Sequence, residues 1–87
     1  MAVVRLRGPL KKLAGDSADH VVEARTVNDA LRALERAQPG VEGWILDERG
    51  LVRRHINVFV NGERAGEDEP VGPDDRIEIL PAISGGT

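Results

Sequence analysis

The chain contains no cysteine, so a disulfide, a thiolate nucleophile and a cysteine-ligated metal are all excluded. It also lacks any apolar stretch approaching the roughly 20 residues that a membrane-spanning helix needs. The opening MAVVRLRGPLKK places a short β-like run before its basic residues, which is the reverse of a secretion signal. Together these absences predict a cytoplasmic protein with no membrane partner.

An excess of positive charge is missing too. The 12 Lys and Arg residues against 15 Asp and Glu residues give a net charge of −3. A nucleic-acid partner is therefore not expected, because tracking a phosphate backbone depends on many Lys and Arg contacts. The 87 residues suit one small domain, exclude two, and leave little room for a deep, water-excluding active site.

The sequence motifs of common catalytic and cofactor sites are absent. His20 and His55 lack the HxH or HExxH spacing that would direct them to one metal ion. Ser17 and Ser84 have no nucleophile-elbow sequence around them. The glycines form neither GxGxxG nor a phosphate-binding loop. We therefore expect no intrinsic catalytic residue, no metal site and no bound cofactor.

The first half of the chain predicts two short strands and one helix. Apolar and basic residues alternate over 2–7, and 20–24 is a second β-rich run, so we expect an amino-terminal hairpin. Apolar residues then recur at helical intervals over 27–37. Thr26 is placed to cap the start of this helix, and Pro39 is placed to end it.

The second half predicts further strands. Residues 41–54 show no clear periodicity and are expected to be irregular with a helical turn. Residues 55–61 alternate as a strand does, and Asn61-Gly62 suits a type I′ turn into a short strand. The acidic stretch 67–75 is expected to be a solvated loop that leads into a last strand over 76–80.

This order of elements predicts an α+β domain with the helix packed across one sheet face. Phe59 and Leu80 fall on the opposite face as an exposed apolar pair, which indicates a surface for a protein partner. Trp44 is expected to be partly packed within the irregular segment. Eight apolar strand residues are expected to face the helix: Val4, Leu6, Val22, Ile56, Val58, Val60, Ile77 and Ile79.

The domain is predicted to cover residues 1–80, followed by a flexible carboxyl-terminal tail over 81–87. Gly85 and Gly86 have no Cβ, so this part of the backbone can thread a slot that larger residues would block. From Pro81 to Gly86 an extended chain reaches roughly 20 Å, enough to enter the active site of a partner.

Four segments carry a resemblance to a known family: FVNGE, the loop GPDDR, the strand IEIL and the ending LPAISGG. They resemble the ubiquitin-like sulfur carriers of the MoaD/ThiS family, and the ending is most similar to the CysO-like branch. The resemblance spans essentially the whole chain, and its specific part lies in 57–86. It implies a β-grasp fold with a mixed sheet and one main helix.

The resemblance also implies a function without intrinsic catalysis. An E1-like enzyme of the ubiquitin-activating type would use ATP to adenylate Gly86, and sulfur would replace AMP to leave a thiocarboxylate. A biosynthetic enzyme, for cysteine or a natural product, would then accept the sulfur. Phe59, Leu80, Pro81 and Ile83 would dock on a partner, while Ser84, Gly85 and Gly86 enter its active site; this docking set rests on strand alternation and tail position.

Thr87 departs from the family pattern because it places Gly86 in a peptide bond. Some family members depend on a JAMM-type metalloprotease to remove such an extension; otherwise Thr87 is a cloned addition or a residue that blocks the tail deliberately. Three further functions stay open at this point: the small subunit of molybdopterin synthase, a ubiquitin-like modifier attached to lysine, and an inert subunit whose tail fills a groove.

Overall fold

The order of the strands places the last strand of the domain in the middle of the sheet. The computed structural model describes residues 2–81, in which a five-stranded mixed sheet packs against one main helix. The sheet order is β2-β1-β5-β3-β4, so the last strand lies in the middle and pairs parallel with β1 and antiparallel with β3. The predicted β-grasp fold is confirmed. The strands are β1 (Ala2–Leu6), β2 (Asp19–Val22), β3 (Ile56–Val60), β4 (Glu63–Arg64) and β5 (Arg76–Pro81).

The main helix, α2, spans Val27–Ala37 as its apolar periodicity predicts. The backbone N–H of Asp29 donates to Oγ1 of Thr26 at 3.1 Å, which satisfies one of the free donors at the helix start. Pro39 follows directly after the cap residue Gln38 and begins a single 3-10 turn, Pro39–Val41. The apolar stripe of α2 is fully buried against the sheet: Val27, Ala30, Leu31 and Leu34.

The amino-terminal hairpin differs from its prediction in two respects. A short helix, α1 (Pro9–Leu13), lies between β1 and β2, because Pro9 is preorganised for a first helical turn and Leu10 is buried as its anchor. The second strand ends at Val22 and does not continue to residue 24. Beyond it the chain pairs with the acidic loop instead, since the N–H of Val71 donates to the carbonyl of Arg25 at 2.9 Å.

The core contains most of the predicted strand residues and an unpredicted group. Seven of the eight residues expected to face the helix are buried, whereas Val60, at the hairpin end of β3, is only half-buried. Ile45 and Leu46, from the irregular segment, are buried as well. Their backbone N–H groups donate to the Glu35 carboxylate at 3.2 and 3.0 Å, so this non-repetitive backbone enters the core with its donors satisfied.

The turn after β3 is tied to the loop before β5. Asn61 and Gly62 have φ angles of 52° and 87°, the two positive values that a type I′ turn requires. Nδ2 of Asn61 donates to Asp75 at 2.9 Å, and its Oδ1 accepts from the N–H of Arg76 at 2.9 Å. The second oxygen of Asp75 accepts from the N–H of Gly72 at 2.7 Å.

Truncating Ile77 to Ala should lower the free energy of unfolding by about 2 to 4 kcal/mol, because the side chain is fully buried beneath α2. Val58→Ala should lie at the low end of that range, since it removes fewer atoms. Val21→Ala is the matched control: Val21 is 63% exposed, and its loss should change stability by no more than about 0.5 kcal/mol. Urea denaturation measures all three, and equal losses at Val21 and Ile77 would contradict the assignment of sheet faces.

Acid should weaken the Asp75 contacts. The N–H of Gly72, and then the amide of Asn61, lower the pKa of Asp75 below its ordinary value of 3.8. A carboxyl with a pKa lowered by folding stabilises the fold above its unfolded pKa, and that contribution is lost as pH falls through the folded pKa. The gap in urea midpoint between the native protein and Asp75→Asn should therefore be present at pH 7 and shrink below about pH 4. A difference in urea midpoint that does not change with pH would show that ionisation of Asp75 contributes nothing to the stability of the fold.

Candidate functional site on the outer sheet face

The sheet face away from α2, here called the outer face, has an apolar centre. Phe59 and Leu80 both lie on it, as strand alternation predicts. Phe59 is opposite Glu78, and Leu80 is opposite Asn57, so the two apolar side chains are diagonal neighbours on adjacent strands. They are half-buried, not exposed as predicted, because the long side chains of neighbouring strands stand beside them.

Two ion pairs lie on one side of this apolar centre, toward β1 and β2. Arg5 contacts Asp19 at 2.7 Å, and Arg7 contacts Glu78 at 2.7 Å. The hydrogen bond from Arg5 is the main cause that lowers the pKa of Asp19, and the same bond raises the pKa of Arg5. Such solvent-exposed pairs add little stability. Their effect is to fix charged groups on the β1 side of Phe59 and Leu80, which gives that side of the face the polar border of a protein interface.

The root of the tail is held firmly in the sheet. Pro81 pairs with Ile56 and is the last residue of β5. On the other side, the N–H of Arg7 donates to the carbonyl of Ile79 at 3.3 Å. The chain therefore leaves the domain from the middle of one sheet end, beside Leu80. The other predicted tail residues, Ile83, Ser84, Gly85 and Gly86, lie outside the described residues.

The two histidines occupy unrelated positions, in keeping with the absence of a metal-binding spacing. The ring Nε2 of His20 is 2.8 Å from the carbonyl oxygen of Ser17, and His55 is exposed just before β3. Within residues 2–81, no three His, Asp or Glu side chains are placed to hold a metal ion. None of the helices in that range is long and apolar enough to cross a membrane.

Two surface features were not predicted. A shallow groove of about 630 Å³ runs along the exposed side of α2, lined largely by charged residues that include Arg25, Asp29 and Arg36. A smaller cleft of about 300 Å³ lies beside the start of β3, between Trp44 and His55. Trp44, which was expected to be partly packed, is 53% exposed. A lone tryptophan in a segment without periodicity was the only sequence signal for this cleft.

Known proteins match the chain along most of its length. The family model described as "ThiS family" matches residues 4–86. Small archaeal modifier protein 1 of Haloferax volcanii is 41% identical over 61 residues, which cover 70% of each chain. A crystal structure of that modifier superposes with a TM-score of 0.83 at 34% identity and covers 98% of both chains. The crystal structure of the BexX/CysO complex of Amycolatopsis orientalis contains a chain that matches with a TM-score of 0.86 at 27% identity, over 99% of this chain and all of that one.

Truncating Phe59 should impair binding more than folding. Phe59→Ala removes an apolar group from the outer face and leaves the helix-facing core intact, so it should cost less unfolding free energy than Ile77→Ala. It should nevertheless weaken affinity for a protein partner that binds the outer face about tenfold or more, as loss of a central interface aromatic does. Titration calorimetry with each folded variant makes the comparison. A loss of unfolding free energy for Phe59→Ala as large as that for Ile77→Ala, with affinity unchanged, would reverse the face assignment.

Proposed function

This chain belongs to the ThiS family of small ubiquitin-like proteins, and on that premise we propose that it carries sulfur as a thiocarboxylate on Gly86. The observation that carries the proposal is the position of β5. This strand is anchored at the centre of the sheet, and it places Leu80 and Pro81, the start of the LPAISGG segment, at the apolar centre of the outer face. Gly86 lies five residues beyond Pro81 (86 − 81 = 5).

The chemistry explains why such a protein depends on an activating enzyme. A carboxylate is a poor electrophile, so the Gly86 carboxylate first attacks the α-phosphorus of ATP to form an acyl-adenylate and release pyrophosphate. Hydrosulfide then attacks the carbonyl carbon. The C–O bond to AMP breaks, and AMP leaves with the bonding electron pair. The product is a thiocarboxylate with a released proton, and ATP is used by the partner enzyme without a nucleotide site on this chain.

The domain supplies recognition while the tail supplies the reacting atom. Phe59, Leu80 and Pro81, with Ile83 of the tail, form the docking set that we propose for the partner. Ser84, Gly85 and Gly86 extend into the active site, where two residues without Cβ fit a narrow passage. The relative from Amycolatopsis orientalis crystallised in a complex with BexX. That complex supports a second partner here, a biosynthetic enzyme that accepts the sulfur for cysteine or a natural product.

A second function, protein modification, is favoured by a specific observation. The relative that is 41% identical is named a small archaeal modifier protein. Formation of the adenylate is the same in both functions. They diverge at the next step, where the amine of a lysine on another protein attacks Gly86 in place of hydrosulfide and forms an isopeptide bond. The nucleophile that captures the activated carboxyl therefore separates the two functions.

Thr87 must be removed before either reaction, since the Gly86 carbonyl is otherwise part of a peptide bond. We assign that step to a metalloprotease of the JAMM type. A form of the chain that ends at Gly86 bypasses this step, so activation can be tested apart from processing.

The proposed function predicts a defined change in intact mass. The Gly86-ending form, incubated with the adenylating enzyme of its host, MgATP and sulfide, should exchange one oxygen for sulfur. Two controls should keep their mass: the chain that lacks Gly85 and Gly86 and so ends at Ser84, and the chain that ends at Thr87. In host extract, a gain equal to the mass of another protein would establish modification instead. A Gly86-ending form that stays unchanged with enzyme, ATP and sulfide would overturn the sulfur-carrier proposal.

A further inference from the structure

The end of the sheet from which the tail leaves is flanked by basic side chains. On one side lies α1, which follows β1, packs against β5 and carries Lys11 and Lys12 on its exposed surface. On the other side lie Arg53 and Arg54, just before the residue that pairs with Pro81. We name these four residues the basic collar. Three ion pairs occur between the residues the structure describes, and none of them involves the collar.

Acidic residues lie at the opposite end of β5, where Asp74 and Asp75 directly precede the strand. Within the acidic loop over 67–75, the carboxylate of Glu67 reaches the other way and accepts from the N–H of Val52 at 3.1 Å, next to Arg53. The six residues of β5 separate the two ends by roughly 20 Å. That distance is about twice the screening length at physiological ionic strength. The four residues of the basic collar thus form a local positive patch beside Pro81, although the net charge of the chain is −3.

The cleft beside Trp44 adjoins the basic collar and has a fixed shape. Nε of Arg53 donates to the carbonyl of Gly43 at 2.6 Å, and its backbone N–H donates to the carbonyl of Ile45 at 2.9 Å. Gly43 has a φ of 83°, a conformation that residues with a Cβ rarely adopt. Trp44 and Arg53 thus line the same cleft, and the Arg53 guanidinium is held to the backbone beside Trp44. Within residues 2–81, the bond from Nε to the Gly43 carbonyl is the one hydrogen bond that the Arg53 guanidinium makes.

We propose that this cleft and the basic collar form a second docking site for the adenylating enzyme, next to the outer face. Its occupant is a loop of that enzyme which presents a carboxylate to Arg53 and an apolar side chain to Trp44. Charge complementarity requires an acidic partner surface, with Lys11 and Lys12 contributing from the other side of the tail. Tryptophan and arginine are among the residue types enriched at the energetic centres of interfaces. This inference rests on the proposed function, because it concerns the enzyme that activates Gly86.

Adenylation kinetics test the collar directly. With the Gly86-ending form as substrate, ATP–pyrophosphate exchange by the host enzyme should show a KM about tenfold higher for Arg53→Glu at low salt, with kcat unchanged. The double variant Lys11→Glu/Lys12→Glu should show the same pattern and a weaker dependence of KM on salt. If Arg53→Glu does not fold, because it loses the bond to Gly43, the Lys11→Glu/Lys12→Glu variant still tests the collar. Arg36→Glu, the same charge change in the groove along α2, is the matched control and should keep the native KM.

Trp44 gives a second, direct reading, because it is the only tryptophan in the chain. Labelled with 5-fluorotryptophan, the protein has one fluorine resonance, which should shift or broaden when unlabelled enzyme is added without ATP. If the native chain supports ATP–pyrophosphate exchange, the proposed function stands. In that case, a fluorine resonance that stays unchanged, or native KM values for both charge variants, would overturn the inference about the second docking site. No exchange by the native chain would instead count against the proposed function. A resonance that moves with protein concentration in the absence of enzyme would identify a second copy as the occupant and likewise overturn the proposal.

Discussion

The pairing of β5 between β1 and β3 is the constraint on which the rest of the structure depends. It places Ile77 and Ile79 against α2, where both are fully buried, and Leu80 on the outer face. One six-residue strand thus supplies part of the core, part of the candidate docking surface and the exit of the tail. Because hydrogen bonds hold β5 on both sides, its last residue, Pro81, is fixed at the middle of one sheet end.

This arrangement separates stability from reactivity. The core lies between α2 and the inner face of the sheet, and the reacting carboxyl assigned to Gly86 lies beyond Pro81. The outer face and the basic collar meet at the same end of the sheet, so a partner that binds both surrounds the tail. A domain of 87 residues has a small core. Keeping recognition on the outer face and on the sheet end lets those surfaces change without exposing that core.

Regular elements were predictable where a period repeats. The apolar spacing of α2 covers three helical turns, and its predicted bounds are confirmed. The alternation in β3 correctly assigned Val58 to the core and Phe59 to the other face. Short or irregular elements were not predictable. Helix α1 has only five residues, and Ile45 is buried because Glu35, ten positions earlier in the chain, accepts its N–H.

The candidate site was predictable only in part, for a related reason. Strand alternation tells which face a residue occupies, whereas the half-burial of Phe59 depends on the register that places Glu78 and other long side chains beside it. The cleft at Trp44 depends on the bond between Arg53 and the carbonyl of Gly43, ten residues apart, which no local pattern indicates. Ser84, Gly85 and Gly86 were singled out by the ending alone and stay a prediction.

In the proposed function, the domain docks on its partner by the outer face and by the sheet end at Pro81. Methyl NMR of the Gly86-ending form, titrated with unlabelled adenylating enzyme, tests it most directly. We predict that signals from Leu80 and Val52, near the tail root and the Arg53 side of the collar, broaden at the lowest enzyme ratios, while Ala33 beside the α2 groove stays sharp. Broadening that begins at Ala33 and spares Leu80 would place the partner on the helix side and contradict the account.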